Sequence, residues 1–336
     1  MSLTRTFGET LAARVAERES QIVLGLDPDP SALWPGAAGA AERHDGSPGS
    51  DDRGAESDDR GAGSDDGDAR QRAARAVLAH CRAVIDATAP ACVAVKPQLA
   101  RFELLGAPGW AALEAVVAHA HERGLLVIAD GKRGDIDVSA SAYAGALLGG
   151  AETPFGRLPG LGADLVTVNP LMGVDALEPF VQAARASGAG VLVLVRTSNP
   201  GASDVEDLPV EGGGAVWERI AEIVERIGAD GVGESGLSDV GAVVGATEPG
   251  HLRRARELMG HAPFLLPGVG AQGGRVEELA AAFAPGRAGG LVSASRSIVG
   301  AHLNGGGEPA SAARAEAERL RETAWALSAE LAADVR

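Results

Sequence analysis

Aromatic side chains make up only 3% of this 336-residue chain, and it has just two cysteines. No apolar run approaches the ~18 residues a membrane-spanning helix requires. Each shortage closes off a class of protein. Cys81 and Cys92 are too few for a disulfide framework and too isolated for a metal site. Cys81 falls in a helical pattern and Cys92 opens a strand, so both are expected to be small buried hydrophobes. The N-terminus shows no charged region followed by an apolar one, which predicts a soluble, cytoplasmic protein. Positive charge is scarce as well: the net charge is −16, which disfavours nucleic acid as a bulk electrostatic partner.

The acids are unevenly spread. Between Asp45 and Asp68 nine carboxylates stand against Arg53 and Arg60, leaving the remainder of the chain only moderately acidic. Residues 36–70 repeat the elements S-D-D and D-R-G-A and carry no large apolar side chain from residue 46 to 69. Such a segment cannot bury enough surface to offset its ordering entropy, so it is expected to be a disordered acidic insertion.

What the chain does have is small aliphatic residues, within a hydrophobic content of 45%. They gather into eight short runs: IVLGLD (22–27), ACVAVK (91–96), LLVIAD (125–130), DLVTVN (164–169), GVLVLVR (190–196), VGAVVGA (240–246), PFLLPGV (263–269) and GLVSAS before Arg296. None alternates cleanly, as expected of parallel strands covered on both faces. Amphipathic patterns lie between them, at 109–123, 177–187, 215–228 and 251–259, and a long Ala/Glu/Arg/Leu helix is expected over 310–335. Eight βα units predict a single (β/α)8 TIM barrel domain over 1–336, with the acidic insertion after strand 1; a doubly wound open sheet is the runner-up.

Active sites in such barrels are built at the C-terminal ends of the strands. The ends here are polar. The first run ends in Asp27, the second in Lys96, and the third passes through Asp130 and Lys132 to Asp135, spaced D-x-K-x-x-D. On a strand Asp130 and Lys132 would point to the same side, with Asp135 on a turn opened by Gly134. The fourth run ends in Asn169, and the fifth leads into RTSNPGA with Ser198. The seventh leads into PGVGAQGG, whose Gly273 and neighbouring glycines let backbone approach an anion while Gln272 adds an amide donor. Arg296, after the eighth run, offers a guanidinium suited to bidentate contact with phosphate. Two lysines and three aspartates thus surround one barrel mouth beside a phosphate-type loop.

GLDPDP, VKPQ, IADGKRGDI, VTVNPLMG, RTSNPGA, VVGAT, PGVGAQGG and SRSI together resemble the orotidine 5'-phosphate decarboxylase family, in its longer bacterial subgroup. The likeness spans nearly the whole chain outside 36–70. It implies decarboxylation of orotidine 5'-phosphate to uridine 5'-phosphate, no metal, no organic cofactor, and a homodimer with sites at the interface. By resemblance Lys132 is the proton donor to C6, Asp130 and Asp135 flank the substrate carboxylate, and Asp135 comes from the neighbouring subunit. Lys96 completes a Lys–Asp–Lys–Asp array and, with Asp27, holds ribose hydroxyls. Ser198 meets the pyrimidine amide edge; Gln272, Gly273 and Arg296 hold phosphate; Asn169 is a further substrate-site position. Ser139 stands where the family commonly has a threonine crossing the dimer, and Asp137 and Val138 replace smaller residues.

The chemistry wants these residue types. Loss of CO2 from C6 leaves an sp2 carbanion with little resonance help, so the barrier must fall by on the order of 20 kcal/mol. Preorganised charge must supply most of that. An ammonium beside the developing carbanion stabilises it and then protonates it, while flanking carboxylates keep the ammonium charged. The alternative is a Mg2+-dependent sugar-phosphate decarboxylase or aldolase of the same barrel superfamily. It shares the D-x-K-x-x-D element but wants an acid where Lys96 stands.

Overall fold

The computed structural model describes residues 5–37, 39, 63–270 and 273–334. Helix α1 (Phe7–Arg18) and strand β1 (Ile22–Leu26) are followed by α2 (Gly63–Thr88), β2 (Ala94–Pro97), α3 (Leu99–Glu103), α4 (Ala107–Glu122), β3 (Leu126–Arg133) and α5 (Asp137–Leu147). A hairpin of β4 (Ala151–Thr153) and β5 (Gly156–Leu158) precedes β6 (Leu165–Val168), α6 (Val174–Ser187), β7 (Gly190–Arg196), α7 (Val216–Gly228), β8 (Val240–Val244) and α8 (Pro249–Leu258). The chain ends through β9 (Phe264–Leu266), β10 (Gly290–Ala294), α9 (Arg296–Val299), α10 (Ala301–Gly305) and α11 (Pro309–Asp334).

Eight parallel strands close into a barrel in the order β1-β10-β9-β8-β7-β6-β3-β2, so the barrel and not the open sheet is the architecture. The eight apolar runs supply its strands, and β3 extends through the charged residues to Arg133. Most of the 36–70 insertion lies outside the described residues. Its last part departs from expectation, because α2 begins at Gly63 and not near Arg70. A helix nucleated on its packed face adds one hydrogen bond per further residue, so it extends into sequence that could not nucleate one. Among the described residues no helix is long and apolar enough to cross a membrane.

Strand alternation divides the core in two. Outward-facing residues such as Ile22, Leu24, Val95, Val127 and Val292 pack under the helices. Inward-facing Val23, Ala94, Leu126, Ile128, Leu165, Leu192, Leu265 and Leu291 fill the barrel. Phe7, Leu11 and Val15 of α1 join this inner cluster, so α1 closes the barrel's N-terminal end. A capping box holds its start: Thr6 Oγ1 accepts Glu9 N–H, and Glu9 Oε2 accepts Thr6 N–H. Two residues further along β2, β3, β6 and β10 the inward positions turn polar, to Lys96, Asp130, Thr167 and Ser293, all buried. The barrel floor is apolar and its upper layer is charged.

Arg256, from α8, ties the wall beneath that layer. Its guanidinium lies 3.7 Å over the Phe264 ring and donates to the carbonyls of Met259, Ala262, Ala282 and Gly289. Burial pushes its pKa down to about 9. The segment leading into β9 is thereby tied to the later part of the connection from β9 to β10. We predict that Arg256→Met leaves these carbonyls unpaired and lowers unfolding free energy by about 2–4 kcal/mol, read as a lower urea midpoint.

Candidate active site

The third strand does not stay regular. Ala129 pairs with Val166 and Arg133 with Val168, so Asp130, Gly131 and Lys132 stand opposite Thr167 alone. Lys132 absorbs the excess with a left-handed φ of 48°, a conformation uncommon for a side chain with a Cβ. Simple pleat alternation therefore does not bring the Asp130 and Lys132 side chains together. The bulge does. At Gly131 an added Cβ would come within 2.7 Å of Leu99 Cδ1, so a larger residue there would require that side chain to shift.

Asp130 is 4% exposed and is the hub. It accepts hydrogen bonds from Lys96 Nζ at 2.5 Å, Lys132 Nζ at 2.6 Å, Thr167 Oγ1 at 2.9 Å and Gln98 Nε2 at 3.4 Å. Burial alone would raise its pKa; the two ammonium groups and their hydrogen bonds more than reverse this and hold it at about 2. The carboxylate is thus ionised throughout the physiological range. Of the two lysines, Lys96 is buried, whereas the Lys132 side chain is 45% exposed and faces the mouth.

Four other strand ends meet beside this hub. Asp27, Lys96, Gly268, Ser293, Ser295 and Arg296 line a cavity of about 150 Å³. Asp27 Oδ2 accepts a 2.5 Å hydrogen bond from Ser295 Oγ. That approach depends on Gly25, where a Cβ would stand 2.6 Å from Ser295 Cβ. The glycine loop folds on itself through Gly270 N–H to Gly274 carbonyl at 2.9 Å and Gly274 N–H to Gly268 carbonyl at 3.1 Å. Gly273 is exposed there with φ near 89°. Gln272 lies outside the described residues.

Other expected site residues stand apart in the single chain. Asp135 Oδ1 accepts the N–H of Ile136 at 2.9 Å, and among the described residues it joins neither lysine. Ser139 is exposed in the first turn of α5. Asn169 Oδ1 accepts the Leu171 N–H at 3.0 Å, a turn-stabilising role. Ser198 lines a separate cavity of about 250 Å³ with Arg196, Thr197, Gly245 and His251. Thr167, Gln98 and Ser295 belong to the centre and were not among the expected residues. A further signal was open to reading: among 30 lysines and arginines, Lys96 and Lys132 are the only lysines.

Residues 46–315 match the family described as orotidine 5'-phosphate decarboxylase / HUMPS. A Deinococcus radiodurans protein named orotidine 5'-phosphate decarboxylase is 50% identical over 216 residues, covering 64% of this chain and 74% of that one. One of the same name from Haloarcula marismortui is 37% identical over 295 residues, covering 87% and 86%. The structure of Leishmania donovani OMP decarboxylase superposes with a TM-score of 0.65 at 29% identity, covering 96% of this chain and all of that one. With the strand-end geometry, these likenesses place the chain in the orotidine 5'-phosphate decarboxylase family.

Proposed function

We infer that in this decarboxylase, which converts orotidine 5'-phosphate to uridine 5'-phosphate and CO2 in pyrimidine biosynthesis, Lys132 is the group that meets the reacting carbon. The observation that carries this reading is the shared Asp130 carboxylate, which binds both lysines while Lys132 is much the more exposed of the two. The C6–carboxylate bond breaks with its electron pair left on C6, and CO2 departs. A proton then passes from Lys132 Nζ to C6, and the neutral amine recovers its proton from solvent. Because Asp130 is already ionised and fixed, little reorganisation accompanies the build-up of charge.

Arg296 and the 268–274 loop are suited to the phosphate, with Gln272 as a further donor, and Asp27 with Lys96 to the ribose hydroxyls. Ser198 and Asn169 are assigned to the pyrimidine side, Ser198 by movement of its loop on binding. Remote phosphate binding energy would then serve the chemical step by closing a dry site. A Mg2+-dependent chemistry is not favoured. Where it would want an acid, Lys96 holds an ammonium 2.5 Å from Asp130.

The active unit in this reading is a homodimer. Asp135 pairs with neither of its own chain's lysines, and the neighbouring surface is apolar: Ile136, Val138, Leu171 and Met172 are all exposed in the single chain. Gly134 packs the Asp135 turn against Asn169 and Met172, making one continuous patch. Such a patch beside a catalytic residue suits a second copy, which would receive Asp135 and Ser139 in its own site.

Three outcomes test this. Lys132→Ala should fold normally, bind a nucleotide monophosphate, and lose decarboxylation by roughly three or more orders of magnitude, measured as CO2 release. Near-normal turnover would remove Lys132 from its role. An amine-reactive reagent should modify Lys132 before Lys96, with uridine 5'-phosphate protecting Lys132, as mapped by peptide mass. Equal labelling of both, with or without nucleotide, would contradict the difference in exposure. Finally, mixing Lys132→Ala with Asp135→Ala should restore about a quarter of wild-type activity, because half the re-equilibrated dimers are hybrids with one intact site. No recovery, with hybrid dimers shown to form, would place Asp135 in its own chain's site.

A further inference from the structure

We propose that Thr167 is a positioning residue of the catalytic centre, its hydroxyl fixing both the backbone and the ammonium of Lys132. The proposal rests on the reading of Lys132 as proton donor. At the β3 bulge the ladder between β3 and β6 is interrupted, and three residues of one strand face Thr167 alone. The Lys132 N–H is donated to the Thr167 side chain, with Oγ1 at 2.9 Å. A backbone in the left-handed region is unfavourable for a non-glycine residue and persists only where its surroundings hold it. Thr167 supplies the hold.

Hydrogen-bond direction is unambiguous. An amide N–H can only donate, so Thr167 Oγ1 must accept from Lys132. The single hydroxyl proton is then free for Asp130 Oδ1, which stands 2.9 Å away and is ionised. That same oxygen accepts from Lys132 Nζ at 2.6 Å. A closed ring results: Lys132 N–H to Thr167 hydroxyl, hydroxyl to Asp130, and Lys132 ammonium to Asp130. Lys132 is gripped at both ends by two side chains that also grip each other.

Burial and stiffness make the hydroxyl hard to replace. Thr167 is 1% exposed, so water has little access to take over its bonds. As a β-branched residue on a strand it has restricted freedom about χ1, which aims the oxygen at the bulge. A purely structural reading would have Thr167 pack through its methyl group. The two readings diverge on which half of the side chain matters.

Steady-state kcat and KM for orotidine 5'-phosphate should therefore be measured for Thr167→Val, Thr167→Ser and Lys132→Ala, with cooperative unfolding checked for each. Thr167→Val preserves shape and removes the hydroxyl; kcat should fall by about 10- to 100-fold with KM within about threefold, as expected when a reacting group drifts by a fraction of an ångström. Thr167→Ser keeps the hydroxyl and should return kcat to within a few-fold of wild type. Should the valine variant not fold, Thr167→Cys, whose thiol is a weak hydrogen-bonding group, takes its place with the same expectation. The proposal is overturned if Thr167→Val keeps wild-type kcat, if it raises KM alone, or if Thr167→Ser falls as far as Thr167→Val. Near-normal turnover in Lys132→Ala would instead defeat the proton-donor reading on which the proposal rests.

Discussion

A carboxylate kept almost wholly out of water, with an ammonium on either side, is the constraint around which the upper half of this barrel is built. An isolated buried charge would be prohibitively costly, and removing one partner of a buried pair typically costs 3–5 kcal/mol. Asp130 is therefore never seen with one partner: Lys96, Lys132, Thr167 and Gln98 all converge on it. The network need not contribute net stability over an apolar core. In the proposed mechanism it provides a charge that does not have to reorganise when the substrate's own charge moves.

The barrel makes such a cluster affordable in geometric terms. Inward positions on adjacent strands lie side by side, so Lys96 on β2, Asp130 on β3 and Thr167 on β6 come from three consecutive staves. Below them, Ala94, Ile128 and Leu165 exclude water from the same column. One layer separates a dry floor from an ionic ceiling. The departure from regularity is confined to β3, where the bulge lifts Lys132 out of the buried layer toward the mouth while Lys96 remains within it.

Much of this was legible in the sequence, and the reasons it was or was not are physical. Parallel strands covered on both faces leave continuous apolar runs, so the eight staves could be found by their composition. Helix α1 lies outside the βα repeat, and its role as the barrel's floor follows only from seeing Phe7, Leu11 and Val15 join the interior. The short hairpin at 151–158 has no apolar run to announce it. Asp130, Lys96 and Lys132 stood out because charges terminate otherwise apolar strands. Thr167 did not, since a hydroxyl two residues from the end of DLVTVN is compatible with ordinary strand packing. Its importance comes from the register skip opposite it, a relation between strands that no single segment contains.

The choice of lysine also follows from the work required. Almost every basic residue in this chain is arginine, including those that hold carbonyls at the barrel wall and Arg296 at the expected phosphate site. A guanidinium suits those tasks: it is planar, offers several donors and does not release its proton. Retention of the proton is what disqualifies it beside a carbanion, where the cation must first stabilise charge and then surrender a proton. An ammonium can do both, and its compact shape lets two of them share one carboxylate. Lysine is thus confined in this chain to Lys96 and Lys132, the two residues on either side of Asp130, and in the proposed mechanism the more exposed of them gives its proton away.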